Sequence, residues 1–514
     1  APHRPTDVLH HGPMLEITGP GTLWIDNARL YRWDTPEDHN LPWVPNRRIL
    51  QTMIQSQPAE GRKGILRIFG GSGGPLYNEA TMESLLSFYN SDSSITVDWS
   101  SSVRPSTKLT LPMALQYAYL TGNTPENRMR PWLTLQIYFT EEEWVQLLEY
   151  LAQPYNPATD TPESKPFAYL RTQHRRHNRP WTDDFESFTL ELGNETWHNG
   201  VSGLIFEGYG QDSAIWQGAT EYGLFANRTY THVRQSDVWQ NNNLGEKINF
   251  SVGGGYEASW QDLSQGTSWY GETAAQLAPD ASSVGHAAYV GPRWETSDAS
   301  PDTFTDDGIL ETLLAHQIGT RPDYMEYGQI RDTLAQQGTP YDLVSYEGGP
   351  SGFALPQAGM PMANPAGEFY GKSLAMAVAS LDSFLDAYHF GWTEHMYYAF
   401  AQGPNWASHT MFADGFRPSP GWLAMNMRNR FAFGDLLQVN TQSTPTYTRD
   451  DETYPLVGCY AFHDNGRYAV FLLSRKLDGQ AGGTDFGNGT TPTTITLPTD
   501  NIATITLHRL TGDP

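Results

Sequence analysis

The sequence is poor in cysteine and in positive charge, and it has no long apolar run. Cys459 is the single cysteine in 514 residues, so the chain can form neither an intrachain disulfide nor a cysteine-based metal site. No apolar stretch reaches the roughly 18 residues that would predict a transmembrane helix. The hydrophobic fraction of 39% still supplies a core, and the length suits one large domain plus a smaller module.

Acidic residues dominate the charge of the chain. The sequence has 57 Asp and Glu against 32 Lys and Arg, which gives a formal net charge of -25. Nucleic-acid-binding proteins need the opposite sign, because phosphate contacts supply most of their affinity. The same field repels anionic membrane surfaces. We therefore expect neither nucleic acid nor a membrane as a partner, and the oligomeric state stays open.

The first residues, APHRPTDV, contain no initiating Met and no apolar signal core. This is typical of a mature or trimmed product. Large secreted bacterial enzymes often lack disulfides because their cores are big enough without them. We therefore expect a secreted or periplasmic protein.

Short apolar segments alternate with amphipathic ones from about residue 48 to residue 431. This alternation is the pattern of βα units around a parallel sheet, and it predicts an α/β fold, a (β/α)8 barrel, over residues 48–431. The predicted strands are Ile65–Phe69, Trp132–Ile137, Phe188–Leu192, Ile248–Val252, Val284–Val290, Leu343–Tyr346 and His395–Phe400, with Ile95–Trp99 as a candidate eighth. The predicted helices include Glu141–Ala152, Tyr222–Trp239, Thr305–Gln317, Asp323–Gln337 and Gly371–Tyr388.

After about residue 432 the helical periodicity stops and short alternating segments take over. They predict an accessory C-terminal β-sandwich over residues 432–514, which the strands and connector of residues 1–47 are placed to complete. The predicted strands of this module are Leu456–Phe462, Arg467–Ser474, Thr493–Leu497 and Ala503–Leu510.

The segment FTLELGNETWHNG, residues 188–200, carries the strongest functional signal. An apolar strand ends at Gly193-Asn194-Glu195, and Trp197 follows closely. The C-terminal ends of barrel strands line the active site, where a carboxylic acid can protonate a glycosidic oxygen. A helix start capped by Asn194 would fit the same letters, but the preceding strand and Trp197 favour the catalytic interpretation.

A second glutamate follows an apolar strand in YDLVSYEGGPSG, residues 341–352. Glu347 comes directly after Tyr346 and before two glycines, so its carboxylate can stand clear in a cleft. The alternative is a turn with a solvated glutamate. The 152 positions between Glu195 and Glu347 leave room for two intervening strands. Two carboxylates at neighbouring strand ends are the machinery of glycosidic cleavage, in which one protonates the leaving oxygen and the other attacks the anomeric carbon.

These segments resemble the clan A glycoside hydrolases, which carry Asn-Glu after a fourth strand and a glutamate after a seventh. GTLWIDNARLYRWDTP, GILRIFGG, and LELGNETW followed by EYGLFANRTY are similar to segments of the family 51 arabinofuranosidases and their relatives. SYEGGPSG departs from the acidic or Trp-containing surroundings usual for the nucleophile of those enzymes. The resemblance implies a retaining hydrolase that cleaves a polysaccharide or its oligosaccharides.

The resemblance also implies a role for individual residues. Glu195 would be the acid/base, Glu347 the nucleophile, and Arg67, in GILRIFGG, would hold the nucleophile carboxylate. Asn194 would donate to the sugar 2-hydroxyl, and the others would line or stack on the substrate. The expected substrate-binding residues are Arg67, Asn194, Trp197, His286, Tyr289, Tyr346 and Trp392.

Two other functions stay open at this point. One is a carbohydrate-binding protein on an inactive barrel, which the two glutamates argue against. The other is a polysaccharide lyase acting on an anionic glycan, for which the basic cluster RTQHRRHNRP, residues 171–180, is the only hint. That cluster either recognises sulfate or uronate groups or forms a solvated loop paired with Asp183 and Asp184, and the second interpretation is favoured.

No motif indicates a cofactor or a catalytic metal. The Gly-rich segment at residues 68–74 lacks the spacing of a phosphate or dinucleotide loop. The scattered candidate metal ligands, which match no zinc spacing, are His389, Glu394, His395 and His409.

Overall fold

The computed structural model describes residues 47–58, 63–68, 81–86, 110–135, 137–175, 177–196, 215–256, 270–290, 321, 323–350, 371–400, 407–410, 415–442, 444–449, 452–475, 480–481, 484–485, 493–499 and 502–510. The N-terminal strands expected in residues 1–47, the candidate strand Ile95–Trp99, the helix Thr305–Gln317 and Trp197 lie outside these ranges.

Seven parallel strands form one sheet in chain order, each hydrogen-bonded to the next. This order is what successive βα units produce. The strands are β1 (Ile65–Ile68), β2 (Arg130–Leu135), β3 (Phe188–Leu192), β4 (Ile248–Tyr256), β5 (Ala281–Val290), β6 (Asp342–Pro350) and β7 (Trp392–His395).

The sheet curls, so that strands from its two ends meet across the interior. Arg130 on β2 contacts Glu394 on β7, and Arg67 on β1 donates to Glu347 on β6. Every residue of β3 is buried, as expected for a strand with helices on one face and packed side chains on the other. The arrangement is that of a TIM-like α/β barrel, as the sequence predicted.

Helices fill the connections between the strands. They are α1 (Arg47–Gln55), α2 (Met82–Leu86), α3 (Leu111–Leu120), α4 (Glu141–Ala152), α5 (Pro166–Arg175), α6 (Ile215–Gln235), α7 (Asp237–Asn241), α8 (Tyr270–Leu277), α9 (323–336), α10 (Leu374–Ala387) and α11 (Pro420–Phe431). Helix α4 begins at a capping box, in which the Thr140 hydroxyl accepts from the Glu143 N–H and the Glu143 carboxylate accepts from the Thr140 N–H. Within the described residues, no helix is both long and apolar enough to cross a membrane.

The C-terminal module is only partly as expected. An antiparallel sheet joins β8 (Asp435–Leu437), β11 (Val457–Asp464) and β12 (Arg467–Ser474), with β11 in the middle. Two short hairpins accompany it: β9 (Thr446–Arg449) with β10 (Glu452–Pro455), and β13 (Gln480–Ala481) with β14 (Thr484–Asp485). The segments 493–497 and 503–510, predicted as strands, form neither strand nor helix. A three-stranded sheet is therefore seen where a sandwich was predicted.

A buried ion pair joins this sheet to the barrel. Arg475, which follows β12, donates from Nε and Nη2 to the two carboxylate oxygens of Asp382 on α10, at 2.6 and 2.9 Å. The Tyr460 hydroxyl on β11 donates to the same carboxylate at 2.7 Å. Asp382 is fully buried, so the pair makes specific, water-excluded contacts between the two parts of the chain.

Candidate active site

Glu195 lies in a tight turn directly after β3. Gly193 begins the turn with a φ of +76°, and a Cβ there would lie 2.5 Å from side-chain atoms of Ile137 and Thr196. Glycine is therefore required for both conformation and space. Glu195 itself has a φ of +45°, a region that non-glycine residues rarely occupy.

Two tyrosines from the helix layer hold this turn. The Tyr222 hydroxyl donates to the carbonyl of Leu192 at 2.7 Å and accepts from the Gly253 N–H at 3.0 Å. The Tyr270 hydroxyl donates to the carbonyl of Thr196 at 3.1 Å. The two rings stack with centroids 5.5 Å apart. The backbone on both sides of Glu195 is thereby fixed.

Glu347 reaches the interior through a β-bulge in β6. In the β5–β6 register, His286 pairs with Ser345 and Ala287 pairs with Glu347, so Tyr346 is the extra residue. A bulge breaks the alternation of side chains, and accordingly both Tyr346 and Glu347 contact Arg67. The guanidinium lies 4.6 Å from the Tyr346 ring centroid, and its Nη1 donates to Glu347 at 3.1 Å.

Arg67 is the centre of a buried polar network. It donates to both carboxylate oxygens of Glu191 on β3, from Nε at 2.8 Å and from Nη2 at 2.9 Å. Nη2 also donates to Asn194 Oδ1 at 2.8 Å. Burial alone would lower the pKa of Arg67, but the carboxylates of Glu191 and Glu347 raise it above its ordinary value. Arg67 is thus a fixed cation that joins β1, β3 and β6.

The two candidate catalytic carboxyl groups, of Glu195 and Glu347, lie close enough to affect each other's pKa. Burial raises the pKa of Glu195, and the hydrogen bond with Glu347 and the charge of Arg67 offset part of this. Burial also raises the pKa of Glu347 well above its usual range, and the carboxylate of Glu195 raises it further against the effect of Arg67. Two groups that interact in this way titrate as a pair and not independently.

Tyr289 and Tyr346 belong to the apolar packing around these carboxyl groups, together with Trp132. Burial raises the pKa of Tyr289, and the nearby charge of Glu347 raises it further. Its ring meets that of Tyr398 edge to face, with centroids 6.1 Å apart. The buried Tyr346 hydroxyl has no hydrogen-bond partner among the described residues. Both tyrosines therefore lie near Glu347, and their contact with substrate stays a prediction.

His286 and Trp392 are not brought to this site. His286 accepts from the Gly255 N–H at 3.0 Å and bonds through Nε2 to Glu272 on α8 at 2.8 Å. Trp392 packs edge to face against Tyr324 on α9, with ring centroids 5.2 Å apart. Both side chains are at least 98% buried and face the helix layer, which corrects the expectation that they contact substrate.

The basic cluster at residues 171–180 stabilises the structure. Arg171 is fully buried and donates to the carbonyls of Tyr150 and Gln153 at the end of α4. Arg175 contacts Asp184 and lies 3.7 Å from the Trp181 ring centroid. Pairing with Asp184 agrees with the expectation, but among the described residues the exposed, non-helical part is limited to residues 177–179, because Arg171 and Arg175 lie on α5 and are buried. The cluster no longer favours binding of an anionic glycan.

The sequence reasoning missed Glu191, although it is the main partner of Arg67. Its Oε2 also accepts from Trp132 Nε1 at 2.7 Å and from Thr134 Oγ1 at 2.8 Å. A signal was present, since a charged residue in the middle of the apolar strand FTLEL must be paired if the strand is buried. The partner could not be identified, because Arg67 is 124 residues away.

The scattered metal-ligand candidates do not form a site. Glu394 contacts Arg130, and His395 is buried against Phe384 and Tyr388. Across the described ranges, no three His, Cys, Asp or Glu side chains are grouped to hold a metal ion.

Solved structures of glycoside hydrolases share this fold. The GH51 arabinofuranosidase from Xanthomonas axonopodis pv. citri has a TM-score of 0.57 at 16% sequence identity, over 86% of this chain and 78% of that one. A family 51 α-L-arabinofuranosidase from Bifidobacterium longum has a TM-score of 0.58 at 12% identity, over 84% of this chain and 76% of that one. No protein-family model and no curated protein sequence matches the chain. The resemblance to family 51 is thus confirmed in the fold.

Proposed function

We propose that the protein is a retaining glycoside hydrolase, with Glu347 as nucleophile and Glu195 as acid/base. The observation that carries this proposal is that Arg67 donates both to Glu347 and to Asn194, the residue before Glu195, so the two glutamates share one site. The two carboxyl groups also affect each other's pKa. In a retaining hydrolase one carboxylate attacks the anomeric carbon and a second carboxyl group on a nearby strand end transfers the proton.

The reaction would proceed in two steps. In the first, a Glu347 oxygen attacks the anomeric carbon while Glu195 transfers its proton to the glycosidic oxygen, so that the aglycone leaves as an alcohol. In the second, Glu195, now a carboxylate, takes a proton from water as the water oxygen attacks the same carbon. The bond to Glu347 breaks, the sugar leaves with retained configuration, and both glutamates return to their first state.

The assignment requires the proton of the pair to lie on Glu195 when the sugar binds, although burial and the Glu195 carboxylate raise the pKa of Glu347 in the free protein. Arg67 favours this position of the proton, because it donates directly to Glu347 at 3.1 Å, and a cation in contact with a carboxylate favours its ionised form. The Asn194 amide is oriented by the hydrogen bond from Arg67 to its oxygen, which directs its nitrogen to act as a donor to a sugar hydroxyl.

The proposed substrate is a polysaccharide or its oligosaccharides, and the proposed location is secreted or periplasmic. Both similar structures bear the name arabinofuranosidase, so aryl α-L-arabinofuranosides are the first substrates to test, followed by aryl glycosides of other common sugars. Trp197 stays a proposed stacking residue.

The test uses azide with two variants and an activated aryl glycoside. Glu347→Ala should lose at least about 10³-fold in kcat, roughly 4 kcal/mol of barrier, and azide should then give a glycosyl azide of inverted configuration. Glu195→Gln should slow natural glycosides by about 10²–10⁴-fold and activated ones far less, and azide should give a product of retained configuration. The opposite stereochemistry would exchange the two roles, and wild-type rates in either variant would remove that residue from the mechanism.

A further inference from the structure

We propose that Glu191 is a positioning residue, which orients Arg67 and balances its charge so that Glu195 and Glu347 can share one proton. This inference rests on the proposed function and assigns a role to a residue that neither attacks the sugar nor transfers a proton.

Glu191 holds the guanidinium in one orientation. The two hydrogen bonds of 2.8 and 2.9 Å form a bidentate pair, the geometry that fixes both the plane and the direction of an Arg side chain. Glu191 is itself held by Trp132 and Thr134 on β2. The Glu191 carboxylate on β3 therefore orients the N–H groups of Arg67 that donate to Glu347 and Asn194.

Glu191 also determines how much positive charge the catalytic pair experiences. Arg67 and Glu191 together are neutral, whereas Arg67 alone would hold Glu347 strongly as an anion. An over-stabilised carboxylate is a poorer nucleophile, because the same charge must be released as the bond to the sugar forms. Glu191 is 1% exposed, so water cannot take over this compensation.

The charge of Glu191 should shift the pH profile of activity in a predictable direction. Its negative charge raises the pKa of both Glu195 and Glu347, in addition to the larger effect of burial. Removing that charge lowers both pKa values. The acidic limb of kcat/KM, which reports ionisation of Glu347, and the alkaline limb, which reports loss of the Glu195 proton, should therefore both move to lower pH.

The experiment compares Glu191→Gln, which keeps the shape, with Glu191→Asp, which keeps the charge. We expect Glu191→Gln to lose about 10- to 100-fold in kcat, the value of one charge-assisted hydrogen bond, with both limbs displaced downward by about one pH unit or more. Glu191→Asp should lose rate with its limbs in place. Glu272→Gln is the matched control, because it neutralises an equally buried glutamate on the helix side and should leave both limbs at their wild-type positions.

A folded Glu191→Gln protein with wild-type kcat and pH limbs would overturn the proposal. If that variant does not fold, Thr134→Val provides the test, because it removes one hydrogen bond to Glu191. It should lower kcat about 2- to 10-fold. An unchanged kcat would overturn the proposal. These outcomes are separable from failure of the proposed function, which would show as a wild-type protein that hydrolyses no glycoside and gives no azide product.

Discussion

Both the backbone and the side chain of Glu195 are in energetically unfavourable states. Its backbone adopts a φ of +45°, and desolvation raises the pKa of its carboxyl group. Both persist because Tyr222 and Tyr270 fix the neighbouring carbonyl groups. Strain and desolvation concentrated at one residue are characteristic of a functional site that the rest of the fold must stabilise.

We therefore expect Glu195→Gln to stabilise the protein at neutral pH. Burial raises the pKa of Glu195 in the folded state above that of the unfolded chain, about 4.3, so the folded state binds this proton more tightly and wild-type stability falls as pH rises through the raised folded pKa. The gain should be about 0.5–2 kcal/mol at about pH 7 and should vanish at about pH 4. Urea titrations at both pH values measure it. Glu246→Gln removes the same charge from an exposed position, and an equal gain there would contradict this explanation.

Among the elements, β6 is tightly constrained where it carries Glu347. The bulge at Tyr346 turns Glu347 into the interior, and the two glycines that follow allow the chain to pass close to its neighbours. A Cβ on Gly348 would lie 2.5 Å from the carbonyl oxygen of Ala288 on β5. The position of Glu347 thus depends on the absence of a side chain one residue later.

Gly348→Ala should displace Glu347 and impair catalysis more than stability. Backbone overlap of this kind costs about 1–3 kcal/mol, and a shift of about 1 Å at a reacting group can cost about 10²-fold in rate. The control is Gly338→Ala, whose φ is +93° with nothing within 4 Å of the added Cβ. The Gly338→Ala variant should lose stability but keep its kcat. Parallel measurements of kcat and of the free energy of unfolding separate the two, and full activity in Gly348→Ala would count against the constraint.

Elements with strong local signals could be predicted from the sequence. The strand Phe188–Leu192 and the helix Glu141–Ala152 were predicted residue for residue, because one is a short apolar run and the other starts with a capping box at Thr140. The last barrel strand was predicted at His395–Phe400 but lies at Trp392–His395. Aromatic residues fill the whole segment HFGWTEHMYYAF, so periodicity could not locate the strand.

The sequence could predict the site residues that directly follow a strand. It could not predict the features that depend on the pairing of strands far apart in the sequence. The sequence predicted three strand steps from Glu195 to Glu347, and β4 and β5 do intervene. The bulge that turns Glu347 inward and the helix-facing position of His286 depend on the register of β5 against β6. Register is a property of two strands together, and neither strand's sequence contains it.

For the whole molecule, the pair Asp382–Arg475 is a specific link between the barrel and the C-terminal sheet. It is buried and bidentate, and Gly458 on β11 leaves the space for Arg475, since a Cβ there would lie 3.0 Å from its Nη2. Breaking such a pair leaves one charge buried without a partner. Stability of the two parts should therefore be coupled through these side chains.

Asp382→Asn should lower the free energy of unfolding by about 3–5 kcal/mol, because Arg475 would stay buried without its counter-charge. The double variant Asp382→Asn, Arg475→Met should recover part of that loss. Urea unfolding of the wild type, the two single variants and the double variant gives the coupling energy. Strictly additive losses would show that the two side chains contribute independently and that the link is not an ion pair.

Arg67 meets its two carboxylate partners across unequal lengths of chain, 124 residues to Glu191 and 280 to Glu347. During synthesis the third strand leaves the ribosome well before the sixth, and polypeptides begin to fold from the N-terminal side as they emerge. We expect Arg67 to find Glu191 as soon as β1, β2 and β3 come together. The nascent half-sheet then never has to bury an uncompensated cation, and β6 later closes on a guanidinium that is already neutralised and oriented.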